Sequence, residues 1–137
     1  MFMLLASILY RFAPEDLRMI IVDPKFVDYG PFEHLPPLLC PLIREPDKVS
    51  VALQWAICEM QRRLEIIKLA QCRDILAYNK RPCNPNEPCD EFGAPLPATM
   101  PFIVVLIDEL ADLTGSSHKK DIEGNIASMK KDGAEVI

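Results

Sequence analysis

A chain of 137 residues is the length of one domain and is long enough to bury a substantial core. Half of its residues are apolar and 26% are charged, which is ordinary for a soluble globular protein. The formal net charge of −5 argues against gripping nucleic acid through the overall field, leaving Lys119-Lys120 and Lys130-Lys131 as the candidate local basic patches, although such pairs are more often solvated helix faces.

The opening "MFMLLASILY" predicts an amphipathic or buried helix as far as Arg11. Ten residues are too few to cross a bilayer. No basic residue precedes the run and "RFAPED" is a poor cleavage region, so the expectation is a cytoplasmic chain without signal peptide or membrane segment. Pro14 breaks the helix. "MIIVD" is then a short continuous apolar run ending at Asp23-Pro24, suited to a strand buried on both faces of a parallel sheet. Five prolines between positions 26 and 46 (Pro31, Pro36, Pro37, Pro41 and Pro46) predict an irregular crossover with a turn of helix.

The strongest helical signal follows. Pro46 suits a first turn, and Glu45 or Asp47 can satisfy its free N–H groups. Val49, Leu53, Ala56, Met60, Leu64 and Ile67 form an apolar stripe at helical spacing, and Glu59, Arg62, Arg63 and Lys68 supply the polar side. The helix should end near Cys72, with "DILAYN" as a further short turn. Residues 81–101 hold six prolines and little periodicity, so they read as a long loop or insertion. "FIVVLI" is a second apolar strand, "TGSSHKK" a polar loop, and residues 121–131 a last helix. Helix, strand, helix, strand, helix is the order of an α/β fold with right-handed parallel crossovers, read as a single domain over 1–137.

Five cysteines, an odd number, suggest reduced thiols. Cys40, Cys58 and Cys72 sit in apolar surroundings. Cys83 and Cys89 lie in the proline-rich loop without a second pair or a neighbouring histidine, a poor zinc pattern. His34 and His118 have no partner that suggests catalysis.

Chemistry concentrates at Asp108-Glu109. A buried strand holds its last residues rigidly at the carboxyl rim of a parallel sheet, where ligands collect. Asp108 there suits a magnesium ion, which favours oxygen ligands and keeps several waters. Glu109, pointing elsewhere, suits a water attacking a terminal phosphate. The alternative is a helix cap, with Asp108 the N-cap of an "ELADL" turn and Glu109 beside its dipole.

"PFIVVLIDELADL" closely resembles the Walker B segment of the FtsK/SpoIIIE family of DNA translocases. The preceding order of helix, "IVDPK" strand, "FEHLPPLL" crossover, tryptophan-bearing "EMQRR" helix and "YN" is similar too, so the resemblance covers about residues 3 to 126. It implies a partial RecA-like P-loop NTPase core: a motor that hydrolyses ATP with Mg2+ between the subunits of a homo-oligomeric ring and pulls double-stranded DNA through it. By position, Asp108 corresponds to the magnesium-associated Walker B aspartate and Glu109 to the catalytic base. Asp23 lies at the same edge as a lesser cofactor-binding candidate, or simply caps the turn at Pro24. Trp55, Arg62 and Arg63 match family positions and read equally as a packed aromatic and a solvated helix face.

Departures from the family are specific. No G-x-x-x-x-G-K-S/T loop occurs, since none of Gly30, Gly93, Gly115, Gly124 and Gly133 precedes a Lys-Ser or Lys-Thr pair. Backbone N–H groups that cradle phosphates are thereby missing. The family's "PHLL" reads "PPLL" at positions 36–39, and the match fades after Ile126. The expectation is a fragment of a motor, with Walker B and without Walker A, inactive alone. Its alternatives are an interaction module on intact motor subunits or a truncated product without function.

Overall fold

The computed structural model describes residues 2–25, 29–82, 84–109, 113 and 118–135. In chain order the elements are α1 (Phe2–Arg11), β1 (Leu17–Val22), a 3-10 turn (Gly30–Phe32), α2 (Pro46–Leu69), α3 (Ile75–Lys80), β2 (Phe102–Ile107) and α4 (Lys119–Lys131). None of the described helices is long and apolar enough to cross a membrane. Two compact units are present, one of Met1–Ile57 with Pro101–Ile137, the other of Cys58–Met100.

The first unit is built on β1 and β2, which pair in parallel from Leu17↔Phe102 to Val22↔Ile107. Alternation along β1 sends Leu17, Met19 and Ile21 to one face, where they meet Leu5, Tyr29, Leu42 and Leu106, with Ile8 and Leu9 of α1 packed alongside. Ile20 and Val22 go to the other face and meet Val49 and Leu53 of α2, Leu113, and Ile122 of α4. Helices on both faces explain why β1 is a continuous apolar run rather than an alternating one. Each such aliphatic side chain, fully buried, contributes about 1.5–3 kcal/mol.

The crossover after β1 does more than connect. Met19 N–H donates to Pro37 O at 2.9 Å, Leu39 N–H to Met19 O at 2.9 Å, Ile43 N–H to Ile21 O at 3.0 Å, and Asp23 N–H to Ile43 O at 2.9 Å. Isolated parallel bridges Met19↔Leu38 and Val22↔Ile43 mark the same edge. β1 therefore has neighbours on both sides. Prolines cannot donate to a ladder, so this neighbour pairs in patches instead of forming a strand.

The second unit contains the C-terminal part of α2. That helix ends in a Schellman motif: Cys72 N–H donates to Ile67 O at 3.0 Å and Gln71 N–H to Lys68 O at 2.9 Å, with Gln71 at φ 55° where glycine is usual. Asp74 caps α3 by accepting from Ala77 N–H at 2.7 Å. The core is Ile66, Ile67, Tyr78, Leu96 and Met100. Here the stripe read from the sequence changes face: Leu64 is 39% exposed and Ile66 takes its place inside. Glu59, with a side chain only 15% exposed, accepts from Arg62 and Arg63 at 2.7 Å each.

Between Arg81 and Pro101 the described residues form no helix or strand, yet the segment is tied down. The Arg81 guanidinium donates to Glu87 Oε1 at 2.6 Å, Pro97 O at 2.9 Å and Ala98 O at 2.9 Å, and lies 3.6 Å from the centre of the Tyr78 ring. Asn79 closes the far end, donating to Met100 O at 2.9 Å and accepting from Met100 N–H at 2.8 Å. Cys89 is exposed and Cys83 lies outside the described residues.

Candidate functional site

Register carries the site. Val22 and Ile107 are partners at the carboxyl ends of β1 and β2, so Asp23 and Asp108 follow at the same rim. The Asp108 N–H donates to Val22 O at 2.9 Å, which extends the ladder by one residue and fixes the backbone on which the carboxylate stands.

The three predicted acidic residues occupy different surroundings. Asp23 is 1% exposed and is the one buried charged residue named in the core among the described residues. Its Oδ2 accepts from Tyr29 N–H at 3.3 Å and its own N–H is held by Ile43 O, so the chain after β1 wraps around this carboxylate. The turn at Pro24-Lys25 follows directly. Asp108 is half-buried. The Glu109 side chain is 50% exposed and pairs with Lys25 Nζ at 2.5 Å.

Glu109 also departs from ordinary backbone geometry. Its φ is +49°, in the left-handed region that L residues enter at a cost of roughly 1–2 kcal/mol. A right-handed helix cannot begin on such a residue, so Asp108 does not sit immediately before a helical first turn. Leu110, Ala111 and Asp112 of the predicted "ELADL" turn, and residues 114–117 of the predicted polar loop, lie outside the described residues; Leu113 is helical and buried. The left-handed step comes two residues past β2, and the Glu109 carboxylate there pairs with Lys25 across the two strand ends.

Lys25 is the residue that sequence reasoning passed over. It was visible in "IVDPK" as a lysine three positions past the strand end, but nothing local announces that it meets a glutamate 84 positions away.

The rim suits a magnesium ion of the water-carrying kind. No group of three or more His, Cys, Asp or Glu side chains among the described residues could enclose a metal. Magnesium in nucleotide sites asks for less, one or two carboxylates with waters and phosphate oxygens completing its octahedron. Asp108, half-buried at the rim, is an oxygen donor of that type.

The other candidates fall elsewhere. His118 Nε2 lies 3.1 Å from Asp47 Oδ1, joining the starts of α4 and α2 at the surface, and His34 is exposed. Trp55 is 44% exposed rather than packed. Lys119 pairs with Glu123 at 3.8 Å, while Lys130 and Lys131 end α4, where cations favour the helix dipole.

An acidic rim at the ends of a parallel sheet is shared by many nucleotide-binding proteins, so family membership has to come from the whole chain. Residues 2–134 match the FtsK/SpoIIIE family. The chain belongs to that family. Among FtsK/SpoIIIE relatives, the DNA translocase FtsK of Treponema pallidum (strain Nichols) is 37% identical over 126 residues, covering 92% of this chain and 15% of the relative. The DNA translocase FtsK of Leptospira interrogans serogroup Icterohaemorrhagiae serovar copenhageni is 39% identical over 125 residues, 90% of this chain and 12% of that protein. The DNA translocase FtsK of Corynebacterium efficiens is 38% identical over 128 residues, 90% and 13% respectively. The chain thus spans 12–15% of the length of these three FtsK relatives. Its parallel sheet with helices on both faces is a partial RecA-like core of the FtsK/SpoIIIE type.

Proposed function

We propose that this chain supplies the acidic strand-end half, the Walker B half, of an ATP-driven motor that moves double-stranded DNA through a homo-oligomeric ring. One observation supports the reading above the others: register-matched strand ends bring Asp23, Asp108 and Glu109 to one rim. In this reading a bound magnesium nucleotide supplies an electrophilic terminal phosphate. Asp108 would hold the ion, directly or through one of its waters. Glu109, one residue beyond Asp108, would accept the proton of the attacking water. Asp23, buried and bonded to Tyr29 N–H, keeps the backbone of the rim in place and would add negative charge near a bound ion. Residues 81–101 act as an insertion within a single motor domain.

None of the glycines in this sequence stands in a phosphate-cradling pattern, so the cradle belongs to residues other than these 137. The chain by itself therefore turns over no ATP. Turnover by the purified chain, abolished by Glu109→Gln, would refute that statement. The site assignment is tested without turnover: Mn2+ added with millimolar ATP should broaden the amide signals of Asp23, Asp108 and Glu109, and Asp108→Asn should remove the effect. Broadening confined to Glu65, Glu91 or other surface acids would refute the assignment.

A further inference from the structure

The pair that closes the rim is Lys25 with Glu109. It links the residue three past the end of β1 with the residue two past the end of β2, so it spans both carboxyl ends. Both side chains are about half exposed, at 55% and 50%. A pair this open to water is held weakly and its partners exchange readily. Yet the backbone under Glu109 adopts a left-handed conformation at φ +49° to present that carboxylate. Strained geometry aimed at a weak contact is poorly explained by stability and better explained by function.

The chemistry of the location says what would displace the pair. Asp23, Asp108 and Glu109 give the rim three carboxylates, a surface that repels phosphate unless cations intervene. Magnesium supplies one such cation, and the Lys25 ammonium stands within bonding distance of the glutamate assigned to the attacking water.

We propose that Lys25 is a phosphate-binding residue that Glu109 holds in reserve. Without ligand its ammonium is paired with Glu109. A terminal phosphate at the rim draws the ammonium away by a charge-assisted hydrogen bond, and the Glu109 carboxylate is left to accept from water. Lys25 would thus tell a nucleoside triphosphate from a diphosphate. This inference rests on the rim being the nucleotide site.

The test uses the chain as it is, with amide chemical shifts followed through titrations of magnesium ATP and magnesium ADP at millimolar concentration. Wild type should bind the triphosphate more tightly. Lys25→Met should lose about ten-fold in affinity for ATP with little change for ADP, the size expected for one charge-assisted contact. Lys25→Arg should restore the preference, and Glu109→Gln, which removes the paired carboxylate, should tighten ATP binding. A merely structural lysine would move both nucleotides alike, and that result overturns the proposal. If Asp108→Asn abolishes binding while Lys25→Met leaves the ATP-to-ADP ratio unchanged, the role of Lys25 fails and the nucleotide site stands. Absence of binding to either nucleotide, or binding indifferent to Asp108→Asn, overturns both.

Discussion

Replacing Glu109 by glycine and, separately, by alanine turns its backbone geometry into a measurement with a sign. Both variants lose the ion pair to Lys25, so that contact, worth about 0–1 kcal/mol for an exposed pair, cancels in the comparison. Alanine keeps a Cβ and with it the left-handed penalty of roughly 1–2 kcal/mol at φ +49°, whereas glycine escapes it. Glycine in turn gives the unfolded chain more freedom, which offsets roughly 0.5–1 kcal/mol. The difference leaves Glu109→Gly more stable than Glu109→Ala by about 0.5–1 kcal/mol. In a helix or a strand the order is reversed by a similar amount. Urea unfolding followed by circular dichroism would read this as a midpoint shift of roughly 0.3–0.5 M, given typical slopes. Alanine proving the more stable variant would mean that Glu109 continues the strand or starts a helix, and the delivery of its carboxylate to Lys25 would lose its basis.

Other expectations follow from packing and charge. Ile122→Ala empties a site 1% exposed between α4 and the sheet and should destabilise the first unit by about 2–5 kcal/mol in urea; a loss under 1 kcal/mol would show that α4 is not docked there. Arg62, and then Arg63, hold the Glu59 carboxyl below its usual range against the opposing effect of burial. A carboxyl lowered on folding contributes stability that is present above its unfolded pKa of about 4.3 and is lost as pH falls through the folded value. Acid unfolding of Glu59→Gln should accordingly be less steep than that of wild type below that pH; an unchanged acid limb would dismiss the pair as a contributor. Arg81→Ala removes the donor to Glu87, Pro97 and Ala98, so limited proteolysis should cut within residues 82–100 much faster than in wild type. Equal cutting rates would show that the loop is held by other means.

What could be read from the sequence divides along physical lines. Continuous apolar runs announced both strands, burial on two faces leaving no room for alternation in β1, and the run into Asp108-Glu109 located the rim. The start of α2 was equally legible, from Pro46 and the stripe through Val49, Leu53 and Ala56. Periodicity failed at Leu64, since the helix there passes from one packing environment to another and exchanges Leu64 for Ile66. The patchy pairing of residues 37–43 with β1 was hidden by prolines, which signal loops whether or not their carbonyls serve a neighbouring strand. Composition likewise concealed the anchoring of residues 81–101 by Arg81, because a polar hub is assembled from residues far apart in the chain. The left-handed turn at Glu109 leaves no trace in a sequence where glutamate stands in place of glycine.

β2 carries a further consequence. Its even-numbered amides face β1, as the Phe102 and Asp108 bonds indicate, so Ile103, Val105 and Ile107 point their backbone groups outward, where no strand lies among the described residues. Five of its six residues are less than fully covered, against one of six in β1. The sheet is consequently open to growth on that flank. One more parallel ribbon laid there would shift Asp108 from the margin of the platform to its middle, enclosing the carboxylate between walls on either hand.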